Sequence, residues 1–153
     1  MQALSGWLPA LGFTDPRSTG TVLAVLALLF LGRVAGQVVV ALRAPGWLPP
    51  MSEWYSGLLA YRRLLATQAV VLIVLWTVAL GLLLDLPPFT ARRPDLGTAL
   101  VWLGWAYLLA MAMRYVVTMV RRPEARWFGR TIPIAFHIVL AIWIVVFGSF
   151  LRS

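Results

Sequence analysis

The stretch Thr21–Leu42, TVLAVLALLFLGRVAGQVVVAL, decides the fold class of this protein. It contains one charged residue and can cross the hydrocarbon core of a bilayer as a helix, which takes about 20 residues. Three later blocks are similarly apolar, at residues 64–86, 97–120 and 132–151. Unpaired backbone groups are costly in lipid, and these blocks lack the alternation of a barrel strand. We therefore predict an all-α, polytopic integral membrane protein, a four-transmembrane-helix bundle.

The overall composition supports the same conclusion and excludes several classes of protein. Of the 153 residues 61% are hydrophobic and only 12% are charged, and the mean hydropathy is +0.88. Soluble domains carry about 25% charged residues, so this chain could not cover its apolar surface in water. The chain has no cysteine, which excludes a disulfide scaffold, a thiolate metal site and a cysteine nucleophile.

The chain reads as a single membrane domain over residues 1–153. Proline pairs and glycines separate the apolar blocks, because proline interrupts a helix. The first arginine is Arg17, so residues 1–19 lack the basic n-region that opens a signal peptide. Their apolar residues recur at helical spacing, which favours an outer interfacial segment. The predicted parts are this segment at 1–19, helices at 21–42, 64–86, 97–120 and 132–151, and an interfacial region at 43–63.

The region 43–63 is predicted to contain a short interfacial helix before the second transmembrane helix. Ser52 is a suitable N-cap, and aromatic residues of the type that prefers lipid headgroups surround it. A helix running without a break from Ser52 to Leu86 would be about 52 Å long, too long for a bilayer. We expect a bend near Gly57 or at Arg62-Arg63. This region then acts either as an anchor for the bundle or as a lid over a cavity.

The charges predict how the chain is oriented in the membrane. All 13 basic residues are arginine, the net charge is +8, and an arginine-only basic set suggests a bacterial source. The arginines are scattered between apolar blocks and not gathered on one face, which argues against nucleic-acid binding. They are more numerous in loops 43–63 and 121–131 than on the opposite side, so these loops are predicted to be cytoplasmic. We expect a multi-pass protein of the bacterial inner membrane with both termini outside.

Four polar residues inside the apolar blocks form the candidate binding site. Measured from the cytoplasmic helix ends, Arg33 lies about 13 Å deep, Gln37 about 8 Å, Arg114 about 9 Å and His137 about 8 Å. Two arginines sharing one cavity require an anion. The counter-charge would be Glu53, a lipid phosphate, another anionic amphiphile or a partner chain. Alternatively, Arg114 reaches the headgroups on its own and His137 is a neutral hydrogen-bonding residue.

No catalytic constellation is visible in the sequence. The chain has one histidine, no paired carboxylates inside the spans, no metal-ligand cluster and no phosphate-binding glycine loop. We expect a non-enzymatic accessory or assembly subunit of a larger inner-membrane complex, associated with membrane lipids and with a partner membrane protein or a second copy. The alternative is a carrier or binding protein for an anionic amphiphile or lipid. A third hypothesis is a haem- or quinone-associated membrane enzyme subunit that uses His137 as a ligand or proton-transfer group; the first two require no cofactor.

Overall fold

A computed structural model describes residues 13–43, 45–54, 60–121 and 131–153, except the side chains of Ser52, Glu53 and Thr131. These ranges contain helices and no strand, and four of the helices are long and apolar enough to cross a membrane. The sequence predictions of an all-α fold and of four long apolar helices, typical of a multi-pass membrane protein, are thereby confirmed. In chain order the helices are α1 (Pro16–Arg43), α2 (Met51–Trp54), α3 (Tyr61–Leu83), α4 (Pro87–Thr90), α5 (Pro94–Arg121) and α6 (Thr131–Arg152).

Helix α1 begins before its apolar block because Asp15 caps it. The backbone N–H of Ser18 donates to the Asp15 carboxylate at 2.7 Å, and Pro16 occupies the first helical position, where its missing N–H costs nothing. The bond from the Ser18 N–H also lowers the pKa of Asp15 below its ordinary value. Residues 16–19, assigned from the sequence to an outer segment, therefore belong to α1. Residues 13–15 precede the helix, and residues 1–12 of that segment lie outside the described residues.

Helix α3 ends earlier than its apolar block, in a Schellman motif. The N–H of Leu86 donates to the Gly81 carbonyl at 2.8 Å, and that of Asp85 donates to the Leu82 carbonyl at 3.1 Å. Asp85 adopts a positive φ of 55°, which aspartate tolerates better than most residues. This turn reverses the chain within a few residues and directs it through the single turn of α4 into α5.

The first loop differs in detail from its predicted form. Helix α2 is one turn long and begins at Met51, one residue before the predicted cap Ser52. Ala60 is extended, with ψ 135°, and α3 starts directly after it. The break therefore precedes Arg62 and Arg63, which lie in the first turn of α3; the other predicted bend, Gly57, lies outside the described residues.

The four long helices pack in the spatial order α3–α1–α6–α5. Helix α1 has extensive interfaces with α3 and α6, and α5 packs mainly on α6. The hydrophobic core is accordingly built by three helices: Leu23, Ala27, Phe30 and Val34 from α1, Leu75, Ala79 and Leu82 from α3, and Trp143, Val146, Phe150 and Leu151 from α6. The outer members α3 and α5 leave much of their apolar surface uncovered, which a lipid environment accommodates.

Glycines bring α5 and α6 into close contact. A Cβ atom added at Gly148 would lie 2.9 Å from the Gly97 carbonyl oxygen and 2.9 Å from the Val101 backbone nitrogen. A Cβ at Gly104 would collide with Val145 in the same way. Small residues allow helix backbones to approach closely in membranes, where van der Waals packing drives association.

An arginine joins three chain segments at the end of the molecule where α1 begins and α6 ends, which we call the clasp end. The Arg92 guanidinium donates to the carbonyls of Thr14 and Phe150 and, at 2.6 Å, to the hydroxyl of Ser153. Its Cζ also lies 3.9 Å from the centre of the Phe150 ring, a cation–π contact. The Ser153 hydroxyl contacts the Phe13 carbonyl at 3.3 Å. The residues before α1 and after α6 therefore lie together.

Candidate functional site

The opposite end of the molecule, where α1 ends and where α3 and α6 begin, is the cavity end. Arg33 lies in α1 toward this end and is only 7% exposed. One of its terminal nitrogens donates to the Trp54 carbonyl at 3.3 Å, while its Nε has no hydrogen-bond partner among the described residues. Its Cζ lies 5.8 Å from the centre of the Phe136 ring in α6. Arg33 is therefore a buried cation whose hydrogen-bonding capacity is only partly used.

Trp54 holds α2 against α1 beside Arg33. Its indole packs on Gly36, where an added Cβ would approach the ring to 2.8 Å. The indole N–H donates to the Pro49 carbonyl at 3.0 Å, which fixes the proline-rich loop. Because position 36 is glycine, Trp54 can pack close to α1, and its carbonyl then reaches Arg33.

A glutamine pair links α1 to α3 near the same level. Gln37 is fully buried and Gln68 is 5% exposed, and the Gln68 amide nitrogen donates to the Gln37 carbonyl oxygen at 3.2 Å. The remaining Nε2 of Gln37 and Oε1 of Gln68 are buried without a hydrogen-bond partner among the described residues. Unsatisfied polar groups in a protein interior are costly, and those found in native structures call for an explanation.

A cavity of about 130 Å³ lies between α1, α3 and α6. One level of its wall, the polar layer, contains Arg33, Thr67, Gln68 and His137 with Phe136 beside them, and Leu64 and Pro133 line the wall nearer the cavity end. The next layer lies one helical turn toward the clasp end and is apolar: Phe30, Val71 and Leu140. The cavity therefore offers polar groups at one level and an apolar wall immediately deeper.

His137 connects this cavity to α5. Its Nδ1 lies 2.6 Å from the Tyr107 hydroxyl, and the two rings meet edge to face with centroids 5.9 Å apart. When the hydroxyl donates to Nδ1, the neutral imidazole carries its proton on Nε2 and can donate to an acceptor. Tyr107 is thus positioned to set the tautomer of His137.

The structure brings together some of the residues predicted from the sequence and separates others. Arg33 and His137 line the cavity, and Gln37 contacts the lining residue Gln68. Arg114 is exposed on α5 and does not line it. Arg114 follows Tyr107 by seven residues, so it lies about 10 Å nearer the cavity end than the Tyr107–His137 contact. The side chain of Glu53 lies outside the described residues.

Gln68 is the residue of the site that the sequence analysis missed. It shares a helical face with the buried residues Leu75, Ala79 and Leu82, at spacings of seven, four and three residues. That spacing, and the rarity of amides in an apolar block, is a signal that could have found it.

Within the described ranges, no group of three or more His, Cys, Asp or Glu side chains could hold a metal ion. The arrangement instead provides one cation, amide groups and an imidazole beside an apolar wall. No protein-family model, no characterised protein and no solved structure matches this chain. The chemistry of the cavity must therefore support any functional proposal.

Proposed function

We propose that this protein binds an anionic amphiphile in the cavity between α1, α3 and α6. The observation that carries the proposal is Arg33, a buried cation on the cavity wall with an unpartnered Nε. Removing a charge from water costs several kcal/mol unless an opposite charge accompanies it. An anion held here makes charge-assisted hydrogen bonds, which are roughly twice as strong as neutral ones.

The described carboxylates are too far away to neutralise Arg33. Asp15, Asp85 and Asp95 all lie at the clasp end, beside the start of α1, the end of α3 and the start of α5. Glu53 in α2, whose side chain lies outside the described residues, is a protein alternative to an external ligand. If an amphiphile neutralises Arg33, Glu53→Gln should keep the bound ligand and the stability of the protein. If Glu53 neutralises Arg33, the same variant should destabilise the protein, so experiment can separate the two hypotheses.

The helix arrangement supports entry of a ligand from the lipid phase. Helices α3 and α6 both pack on α1 but have no extensive interface with each other. A chain attached to a head in the polar layer can therefore leave sideways between them, along Val71 and Leu140. We accordingly propose a carrier or binding role that needs no catalytic group. The arginine distribution favours the cytoplasmic leaflet of a bacterial inner membrane.

Native mass spectrometry of the full chain, extracted in mild detergent, tests this function. We expect the wild-type protein to retain an anionic lipid-like adduct that Arg33→Gln loses. Arg93→Gln is the matched control, because it removes the same charge from an exposed position at the clasp end. Glu53→Gln should keep the adduct. If no anionic adduct is found, or if one persists in Arg33→Gln, the proposal is wrong.

The topology is tested separately by labelling single-cysteine variants with an impermeant thiol reagent. Ser52→Cys and Ser153→Cys should react from opposite sides of the membrane, the second from outside. Labelling of both from one side contradicts the proposed topology.

A second candidate function, an accessory subunit of a membrane complex, is favoured by α5. This helix is about 42 Å long and extends past the start of α6, and its far half carries exposed apolar residues. They are Leu109, Met113, Val116, Val117 and Val120. A partner membrane protein or a second copy of the chain would cover them. A photo-cross-linker at Val117 should then give one reproducible protein adduct in native membranes, whereas one at Val70, an exposed valine of α3, should react with lipid alone.

A further inference from the structure

The size of the cavity limits what can enter its polar layer. Its volume of about 130 Å³ is close to that of an apolar protein cavity of about 150 Å³ that holds benzene. The head of the ligand and the first carbons of its chain fill this space. A small head and the first carbons of one chain use this volume fully, so a ligand with a small head and one chain fits the space best.

The charge of the cavity selects among small acidic heads. Arg33 is the only arginine on the described cavity wall, and His137 and Gln68 add neutral hydrogen-bonding groups. A carboxylate carries one negative charge, which a single guanidinium neutralises through two parallel hydrogen bonds. A phosphate monoester carries nearly two charges at neutral pH and would leave one buried without compensation.

The position of the polar layer sets the orientation of the ligand. Apolar side chains lie on both sides of it, but Phe30 and Leu140 lie deeper in the proposed span than Leu64 and Pro133, so a chain whose head is beside Arg33 points toward the clasp end. The open boundary between α3 and α6 then lets the rest of the chain remain in the surrounding lipid. This geometry suits a long-chain acid whose head has moved inward from the membrane surface.

We infer that the cavity takes a single-chain carboxylate, a long-chain fatty acid, with its head at Arg33 and its chain between α3 and α6. This inference rests on the proposed binding of an anionic amphiphile and specifies its chemical class. Tyr107 acts as a positioning residue, because its hydrogen bond to Nδ1 leaves the Nε2 proton of His137, a residue of the cavity wall, available to the head of the ligand.

Binding of four probes to the delipidated full chain tests the inference, measured by native mass spectrometry and by thermal stabilisation. The probes are oleate, oleyl alcohol, hexadecyl phosphate and phosphatidylglycerol. We expect oleate to bind at least about tenfold more tightly than the other three, and Arg33→Gln to weaken oleate about tenfold or more. Arg93→Gln should bind oleate as the wild type does.

A steric pair of variants keeps the test valid even if Arg33→Gln fails to fold. Val71→Phe fills the apolar layer and should block oleate, whereas Val70→Phe adds the same bulk at a side chain that is 61% exposed and should not.

For Tyr107→Phe, nitrogen NMR of the His137 ring should show a changed tautomer together with weaker oleate binding.

The outcomes distinguish this inference from the proposed function. Arg33-dependent binding of hexadecyl phosphate or phosphatidylglycerol in preference to oleate overturns the carboxylate inference and leaves the amphiphile function standing. If none of the three anionic probes binds, both fail. Equal binding of oleyl alcohol and oleate shows that Arg33 does not select the head, which also overturns both.

Discussion

Each end of the molecule contains an arginine that contacts another segment of the chain, but the two arginines differ in how completely their hydrogen bonds are satisfied. At the clasp end, Arg92 donates to two carbonyls and a hydroxyl and stacks on Phe150, so its guanidinium joins three segments. At the cavity end, Arg33 has one hydrogen bond at 3.3 Å and an Nε without a partner. The first arginine serves the fold. The second is a cation that the described part of the fold leaves incompletely satisfied, and the proposed ligand would complete its hydrogen bonds.

The glycine contact between α5 and α6, near the clasp end, should give the largest effect on stability. Gly148→Ala places a methyl group 2.9 Å from the backbone of α5, and rigid backbone cannot yield as a flexible side chain does. We expect a loss of about 2–3 kcal/mol in the free energy of unfolding, measured by denaturant titration in detergent. Gly32→Ala is the matched control, because no atom lies within 4 Å of its added Cβ. If both variants are equally stable, the close packing of α5 on α6 is not as described.

Removal of Arg92 should have the next largest effect. Arg92→Ala deletes hydrogen bonds from a charged donor to α6 and to the residue before the α1 cap, so we expect a loss of about 1–2 kcal/mol. Arg93→Ala should be nearly neutral, since the contact of Arg93 with Leu151 is made by its backbone N–H. Thermal unfolding of both variants measures the difference. Equal effects would mean that the side chain of Arg92 contributes no more to the stability of the protein than an ordinary surface arginine.

Removal of the glutamine pair tests the contribution of the cavity end to stability. Gln37→Leu or Gln68→Leu alone leaves one amide buried without its partner, and each should cost about 1 kcal/mol. The double variant removes both amides and should recover wild-type stability or exceed it. A double-mutant cycle of unfolding free energies measures this coupling. Additive losses would show that the two amides do not interact.

The smallest effect concerns the cap of α1. Because the N–H of Ser18 stabilises the charged carboxylate, the pKa of Asp15 is lower in the folded protein than in the unfolded chain. Its contribution to stability is therefore present above the unfolded pKa, about 3.9 for aspartate, and is lost as the pH falls through the lowered folded value. Thermal unfolding between pH 2 and 7 should show a slightly smaller acid dependence in Asp15→Asn, which still caps the helix but does not titrate. An unchanged acid dependence would mean that Asp15 does not contribute it.

The sequence predicts the four long helices well because hydropathy is a local property of each segment. It also predicts that Arg33 and His137 lie at a similar depth, and both line the cavity. Counting depth from helix ends groups Arg114 with them, yet Arg114 lies outside the cavity because α5 packs on α6 and contributes no residue to the described cavity wall. Which helices are neighbours is a tertiary property that hydropathy does not encode.

The contacts that Arg92 makes at the clasp end could not be predicted for a related reason. Arg92 is separated by 78 residues from Thr14 and by 61 from Ser153, and its role follows only from the way in which the helices meet. In the sequence it is one of several arginines near a turn. The partnership of Gln68 with Gln37 likewise depends on how α1 and α3 face each other.

The spatial order α3–α1–α6–α5 has a consequence for biosynthesis. Helix α1 lies between α3 and α6, but its neighbour α6 follows the five other described helices in the chain. In the proposed membrane topology, a nascent chain therefore inserts Arg33 before Phe136 and His137 have been made. During that interval the bilayer, the insertion machinery or a chaperone must shield the charge. Ribosome-stalled intermediates that end before α6 should thus be the species most easily degraded, and synthesis of α6 should be the step at which the protein becomes resistant to proteolysis.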